Sequence, residues 1–230
     1  MNENTSKVYV KIDDQNRIVG CNGGYTTPID LVGWVQIDEG IGDKYNLCQS
    51  HYFDGGLYTN TSPAVPRYKL VDGVPVLRSE EEIAADRLEE KRATKHAEIS
   101  AASEAAIYAG MDVETTQGTE HFSLTEKDQI NLTTAKNEVD KGAPIYLYHT
   151  DDTLCRIFTA EEIKAIAQAS VAHIIYHTTY CNHLFEWIRR ADAAELVSIT
   201  YGAELPEDLA EHMQEILTQA GAVAETEAVT

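Results

Sequence analysis

Between Ser79 and Ala109 the chain carries neither glycine nor proline, and Glu, Ala, Lys and Arg dominate. Gly and Pro are the residues a helix interior tolerates least, so such a run has nothing to interrupt a helix. Ser79 followed by Glu82 is a capping box, in which each side chain serves the other's backbone N–H. Gly110 stands where a left-handed residue would close the last turn. The apolar positions are sparse: Ile83, Leu88, Ile99 and Ile107, with alanines between. A helix this polar is marginal in water and needs a packing partner. Residues 79–109 therefore read as a connecting helix, and no heptad is sustained along it.

The part before it, residues 1–78, reads as a small β-rich domain. Val8, Val10 and Ile12 alternate with Tyr9 and Lys11, which predicts a strand with one buried face. Asp13–Asn16 is a turn cluster, and Arg17-Ile18-Val19 could return beside the first strand. Trp34–Ile37 is a further short strand. Tyr68–Val71, then Asp72-Gly73, then Val74–Leu77 is the clearest hairpin, since Asp-Gly supplies positive φ at a tight turn. Pro75 has no N–H, so its strand is expected at a sheet edge or to be irregular there.

The part after it, residues 110–221, reads as a C-terminal α+β domain, with 222–230 as a frayed tail. Ser123–Glu126 suggests a second capping box, with its helix ending at Gly142. Ile145–Tyr148 and Leu154–Ile157 flank a turn and predict a β-hairpin. Thr159 and Glu162 form a third capping box. It opens the strongest amphipathic run, to about Arg190, with Ile163, Ile166, Val171, Ile174, Leu184 and Ile188 at helical spacings. A short helix over Ala194–Ile199 is expected next. Pro206 fits the first position of a last helix closed by Gly221. The expected class is thus α+β, with a small N-terminal β part, a long connecting helix and a C-terminal helical part with one β-hairpin.

Charge excludes some functions. The formal net charge is −20, and residues 79–230 hold 11 basic against 29 acidic side chains, while residues 1–78 hold 7 against 9. Phosphate backbones are bound by basic patches, so no nucleic-acid partner is expected. Anionic membrane surfaces are disfavoured for the same reason, and no apolar run is long enough to predict membrane insertion. The first residues lack the apolar segment of a secretory signal, so synthesis in the cytoplasm is expected. Cys21, Cys48, Cys155 and Cys181 are widely spaced, without a CxxC pair, and read as reduced thiols.

Chemistry is hard to find. His173, His177 and Cys181 recur every four residues on one helix face, with His183 near, and zinc accepts both residue types. Yet the outer two are about 12 Å apart along a straight helix, so all three cannot meet on one ion. Packing side chains are the better reading. None of the cysteines sits in a nucleophile motif, the Gly-Gly pairs are not phosphate loops, and the Asp pairs lack calcium-loop spacing. No catalytic, cofactor-binding or metal residue is assigned, no cofactor is implied, and the chain is expected not to be an enzyme. Tyrosine is abundant, 12 against 4 Phe and 2 Trp. Tyr45, Tyr52, Tyr58 and Tyr68, with Trp34 and Phe53, suit either an interface or the core of a sheet short of aliphatic residues.

Two stretches carry a resemblance. Trp34–Tyr45, Tyr52, Arg67-Tyr68-Lys69, Asp72-Gly73 and Arg78 before Glu80–Ile83 look like the N-terminal segment of small tail-fibre-associated proteins in prophages of Gram-positive gut bacteria. From about Ala109 to Ile199 the chain resembles a domain of unknown function that recurs at the C-termini of phage tail and tail-fibre proteins. The matching pieces are Ala109-Gly110, a polar helix containing Gln129, Phe158–Glu162 after an aromatic hairpin, and Ile188–Leu196. Tyr146 and Tyr148 stand where that hairpin usually has a tryptophan. The resemblance implies a virion protein: a structural component of a bacteriophage tail tip, baseplate or tail fibre that docks or presents a partner. A tail-fibre assembly chaperone is the alternative, and a small metal-dependent enzyme using His173 and His177 the third reading. Partners would be other tail or fibre proteins, or further copies of this chain in a cyclic oligomer, a trimer by the symmetry of tail organs. In a monomer the connecting helix would instead fold back on its own C-terminal part.

Overall fold

The computed structural model describes residues 5–151 and 153–227, with the backbone alone described for 222–227. It is an α+β chain that divides into two compact units, residues 1–91 and 92–230. The division falls inside the long helix, at a point without glycine, proline or any other local signal.

In the first unit, strand β1 (Ser6–Ile12) is the centre of a three-stranded antiparallel sheet, between β2 (Ile18–Gly23) and β3 (Trp34–Gly40). Val10 faces Cys21 on one side and Val35 on the other. The expectation of one buried face is corrected here: Val8, Tyr9 and Val10 are all buried. A central strand can be covered on both faces, and the alternating pattern alone does not reveal that. Two single-turn helices that the sequence did not suggest, α1 (Asp43–Asn46) and α2 (Cys48–His51), follow β3. Cys48 of α2 joins Val8, Val10, Ile18, Cys21 and Phe53 in the core of this unit.

The hairpin of β4 (Tyr68–Val71) and β5 (Val74–Leu77) forms as expected. Asp72 and Gly73 have φ of 50° and 79°, the double positive of a type I′ turn. Leu70 pairs with Pro75, and the Leu70 N–H turns away to the Asn16 carbonyl at 2.9 Å. This is the non-hydrogen-bonded position of the ladder, so the missing N–H of Pro75 costs the hairpin nothing.

Helix α3 (Glu80–Ala109) opens on the expected box: the Ser79 N–H donates to Glu82 at 2.9 Å and the Glu82 N–H to the Ser79 hydroxyl at 3.2 Å. Its first turns are tied into the first unit by a charged cluster. Asp86 accepts from Arg17 at 2.8 Å and lies 2.7 Å from Arg78, whose guanidinium is buried and also donates to the Pro66 carbonyl at 2.9 Å. A buried arginine is tolerable only when its donors are used in this way.

Gly110 closes α3 with φ of 82°. It leads directly into a hairpin not foreseen in the sequence, β6 (Met111–Thr115) with β7 (Gly118–Phe122). Helix α4 (Glu126–Asp140) then corrects the second capping box: the cap is Thr125, paired with Asp128, not Ser123 with Glu126. Ser123 instead donates its N–H to Asp151 at 3.0 Å. The expected hairpin is present as β8 (Ile145–Tyr148) and β9 (Arg156–Thr159). Its second strand starts later than read, since Leu154 and Cys155 are exposed loop residues. Asp152 of that turn lies outside the described residues.

Thr159 and Glu162 cap helix α5 (Ala160–Arg190) as expected. Ile163, Ile166 and Ala167 join Phe122, Leu124, Leu132, Ala135, Val139, Tyr148 and Phe158 in one core. The helix expected over Ala194–Ile199 is only a 3-10 turn, Glu195–Val197. Just before it, the Asp192 carboxylate accepts from the N–H groups of Ala194 and Glu195, both at 2.8 Å. Helix α6 (Glu207–Glu227) begins one residue after Pro206 and runs through Gly221, which therefore does not end it. The frayed tail read over 222–230 is corrected to helix as far as Glu227, and residues 228–230 lie outside the described residues.

The second half of α3 lies antiparallel along α5. Arg92 donates to the Ala191 carbonyl at 2.7 Å, His96 stacks on Phe185 with ring centroids 3.6 Å apart, Ser103 meets the His177 carbonyl at 3.4 Å, and His173 meets the Ala106 carbonyl at 3.1 Å. Ile99 and Ser103 are buried. The packing partner that this thin apolar stripe needs is supplied, over residues 92–109, by the same chain.

Gly110→Ala tests the junction. A Cβ there would stand 2.0 Å from the Phe122 carbonyl oxygen, on top of the left-handed backbone. We expect a loss of about 1–3 kcal/mol in chemical denaturation. Gly221→Ala, inside a helix, should leave stability unchanged or raise it.

Candidate functional site

The histidine face singled out in the sequence is used for packing. His173 and His177 have ring centroids 4.4 Å apart at an interplanar angle of 67°. His173 donates Nε2–H to the Ala106 carbonyl, and His177 Nδ1 bonds the Tyr201 hydroxyl at 2.7 Å. Burial, and then the neighbouring His173, hold the His177 imidazole below its ordinary range and favour its neutral form. Cys181 is buried, and burial raises its thiol, which makes a poor nucleophile. Among the described residues no group of three His, Cys, Asp or Glu side chains stands close enough to hold a metal.

Beside this face the same helix borders a cavity of about 410 Å³, lined by Tyr176, His177, Tyr180 and Tyr201, with Met213 and Leu217 of α6 opposite. Tyr180 donates its hydroxyl to the Ala203 carbonyl and accepts the Gly202 N–H at 3.1 Å. The Tyr180 and Tyr201 rings meet edge to face, with centroids 5.3 Å apart. These rings shape the loop between α5 and α6. Burial raises the Tyr180 and Tyr201 hydroxyls, so neither is poised to act as a base.

A second polar cluster stands at the start of α5. Glu162 is buried, and its carboxylate accepts from the Thr159 N–H at 2.8 Å, the Thr116 N–H at 3.0 Å and the Thr116 hydroxyl at 2.7 Å. Arg156 lies 3.7 Å away, pairs with Glu120, and covers the Phe158 ring at 3.5 Å from its centroid. Burial works against the Glu162 charge, but the hydrogen bonds and Arg156 prevail and pull its pKa down to about 2. This is an anchor between the β6–β7 turn and α5: its polar groups are turned on one another, and a carboxylate that acidic is no general base at neutral pH.

The tyrosines of the first unit divide. Tyr45, Tyr52 and Tyr68 pack with Phe53 around the core of that unit, so for them the core reading prevails. Tyr58 is exposed, with its hydroxyl on the Val19 carbonyl at 2.9 Å.

Large apolar side chains are exposed in clusters as well. In the loop between β2 and β3, Tyr25, Ile29 and Val32 are 78%, 107% and 84% exposed. On the outer face of β8–β9, Ile145, Leu147 and Ile157 are exposed, beside Leu154 in the turn. Leu147 and Ile157 face each other across the strands, while the next pair, Tyr146 and Phe158, points the other way, into or toward the core. A hairpin with one apolar face buried and the other also apolar departs from the usual alternation. Clusters of this kind mark interaction sites more often than isolated exposed residues do. The apolar run Ile145–Tyr148 is unbroken in the sequence, whereas Ile29, Leu31 and Val32 are interrupted by Asp30.

Residues 90–201 match a family described as a domain of unknown function (DUF4376). The match begins beside the start of the second unit and ends short of α6. No curated protein and no solved structure matches the chain. Among the described residues no helix is long and apolar enough to cross a membrane.

Replacing Glu162 by Gln should lower stability at neutral pH by about 2 kcal/mol, the scale of hydrogen bonds to a charged group. Because the folded-state pKa is depressed, the carboxylate stabilises fully above its ordinary value of 4.5 and loses this effect as pH falls toward about 2. Denaturation curves of the two proteins should therefore converge over that interval.

Proposed function

We propose that this chain is a structural component of a phage tail tip, baseplate or tail fibre that docks or presents a partner protein. The observation that carries the reading is exposed apolar surface in each unit, in the loop between β2 and β3 and on the outer face of β8–β9. Each suits a protein partner better than solvent. The resemblance of Ala109–Ile199 to a domain found in phage tail proteins supplies the setting, and the matched segment, 90–201, spans that stretch. The titratable clusters support a non-enzymatic role. His173 is committed to a backbone carbonyl, His177 to the Tyr201 hydroxyl, and Glu162 to backbone N–H groups and Arg156.

In this reading the protein is made in the host cytoplasm, ends in the virion tail, and binds neighbouring tail or fibre proteins or further copies of itself. Closed rotational symmetry of tail organs favours three copies. The assembly chaperone is the second reading. The same exposed surfaces favour it equally, because a chaperone also offers apolar surface to its client.

Mass spectrometry of purified particles separates the two. A structural component is present in stoichiometric amount, and its absence from finished particles would leave the chaperone. Light scattering of the purified chain tests self-association. A variant with Ile29→Asp and Val32→Asp should melt like the parent, since both residues are exposed, yet incorporate poorly into particles. Normal incorporation of that variant would remove the loop from the docking surface.

A further inference from the structure

Helices α5 and α6 meet at a histidine pair that the reading above does not use. His183 is 7% exposed, and its Nδ1 lies 2.7 Å from the Thr179 carbonyl. A carbonyl oxygen only accepts, so Nδ1 carries the proton and Nε2 carries a lone pair. That lone pair faces Nδ1 of His212 at 3.0 Å across the helix seam. His212 is exposed. The pair opens into a cavity of about 380 Å³, bordered by Thr179, Asn182 and Glu186 on α5 and by Leu209 and Ile216 on α6.

We propose that His183 Nε2 and His212 Nδ1 form a binding site for a late first-row divalent metal, zinc being the test ion, which clips α6 to α5. Three observations support this. The first is distance. Imidazole nitrogens bind zinc at about 2.0–2.1 Å in tetrahedral geometry, which sets two such ligands about 3.3 Å apart. The observed 3.0 Å needs only a small opening. The second is the tautomer. A metal-binding imidazole characteristically has its other nitrogen held by a carbonyl or carboxylate, as Thr179 holds His183. Binding then requires only that His212 move its proton from Nδ1 to Nε2, where it meets solvent, with no net proton lost. The third is charge. Glu211 and Glu215 stand within one helical turn of His212 on α6, so their charge favours a cation over an anion.

Ligand type sets the metal class: imidazole suits zinc, nickel and copper rather than magnesium or calcium. No group of three protein ligands is present among the described residues. Glu186 borders the cavity, but its carboxylate is held by Arg189, with Nε at 2.8 Å. Water therefore completes the coordination, and the metal exchanges readily rather than being tightly held. His121, which also has acidic neighbours, has Asp112 on Nδ1 at 2.6 Å and Asp151 toward Nε2 at 3.8 Å, on opposite sides of the ring, so these groups cannot converge on one ion.

The site would add a third tie to a seam now held by the Arg190–Asp208 ion pair and by the buried Leu209 and Met213. The test is zinc titration of the full chain, followed by calorimetry and by thermal melting. It compares the parent, His212→Ala, His183→Gln and the double variant His173→Ala with His177→Ala. The parent and the double variant should bind one zinc and melt higher in its presence. His212→Ala, at an exposed position, should fold normally, lose at least about tenfold in affinity, and lose the melting shift. Retention of binding and shift by His212→Ala overturns the site, whatever the buried His183→Gln does to folding. So does a parent that binds no zinc. Loss of binding in the His173/His177 variant alone overturns it as well, and moves the metal to the α3–α5 face.

Discussion

Helix α5 has to bury an apolar stripe longer than any one partner in this chain can cover. It runs for 31 residues, and its buried positions extend from Glu162 to Ile188. The second unit is organised by how that stripe is divided. Over its first turns, Ile163, Ile166 and Ala167 pack with α4 and the two hairpins. Further on, α3 lies antiparallel along it through Arg92, His96, Ser103 and Ala106. At the far end Tyr180, Leu184 and Trp187 are buried where the 3-10 turn and α6 come in, and Trp187 donates to Glu195 at 2.6 Å. A polar helix such as α3 is stable here because α5 offers it a surface that α3 could not provide alone.

Buried charges in this chain stand within paired clusters. Arg78 is buried with Asp86, and Glu162 is buried with Arg156 and the Thr116 and Thr159 donors. Both sit where a helix starts, near Ser79 and Thr159, so capping and ion pairing act on the same turn. Removing one partner of such a cluster is far more damaging than the net value of the pair, because the other charge is stranded. These clusters hold elements in place, while large apolar side chains are exposed elsewhere.

Much of the fold was legible locally. Ser79–Glu82 and Thr159–Glu162 are reciprocal hydrogen-bond pairs encoded within four residues, and Asp72-Gly73 supplies both positive φ angles of its turn. The errors lie where two local solutions compete. Ser123 and Thr125 are both capping residues; Asp151, distant in sequence, takes Ser123 and leaves the cap to Thr125. Hairpin β6–β7 was missed because Asp112, Glu114 and Glu120 hide the alternation of Met111, Val113 and Phe122. Gly221 had the residue type of a terminator, but glycine ends a helix only when the chain needs a left-handed turn there.

The sequence by itself determined the α+β class, the long uninterrupted helix, its caps and the two hairpins that were read, because each depends on residues within one turn of one another. It also determined the uneven charge, which sets what this surface repels. Only the tertiary structure decided that Val8, Tyr9 and Val10 are covered on both faces, that α3 finds its partner in α5, and that His173 and His177 are consumed by packing. It also decided that His183 meets His212 across a seam between helices. Those outcomes depend on contacts between residues far apart along the chain, where periodicity and propensity carry no information about which of several apolar or polar faces will be met.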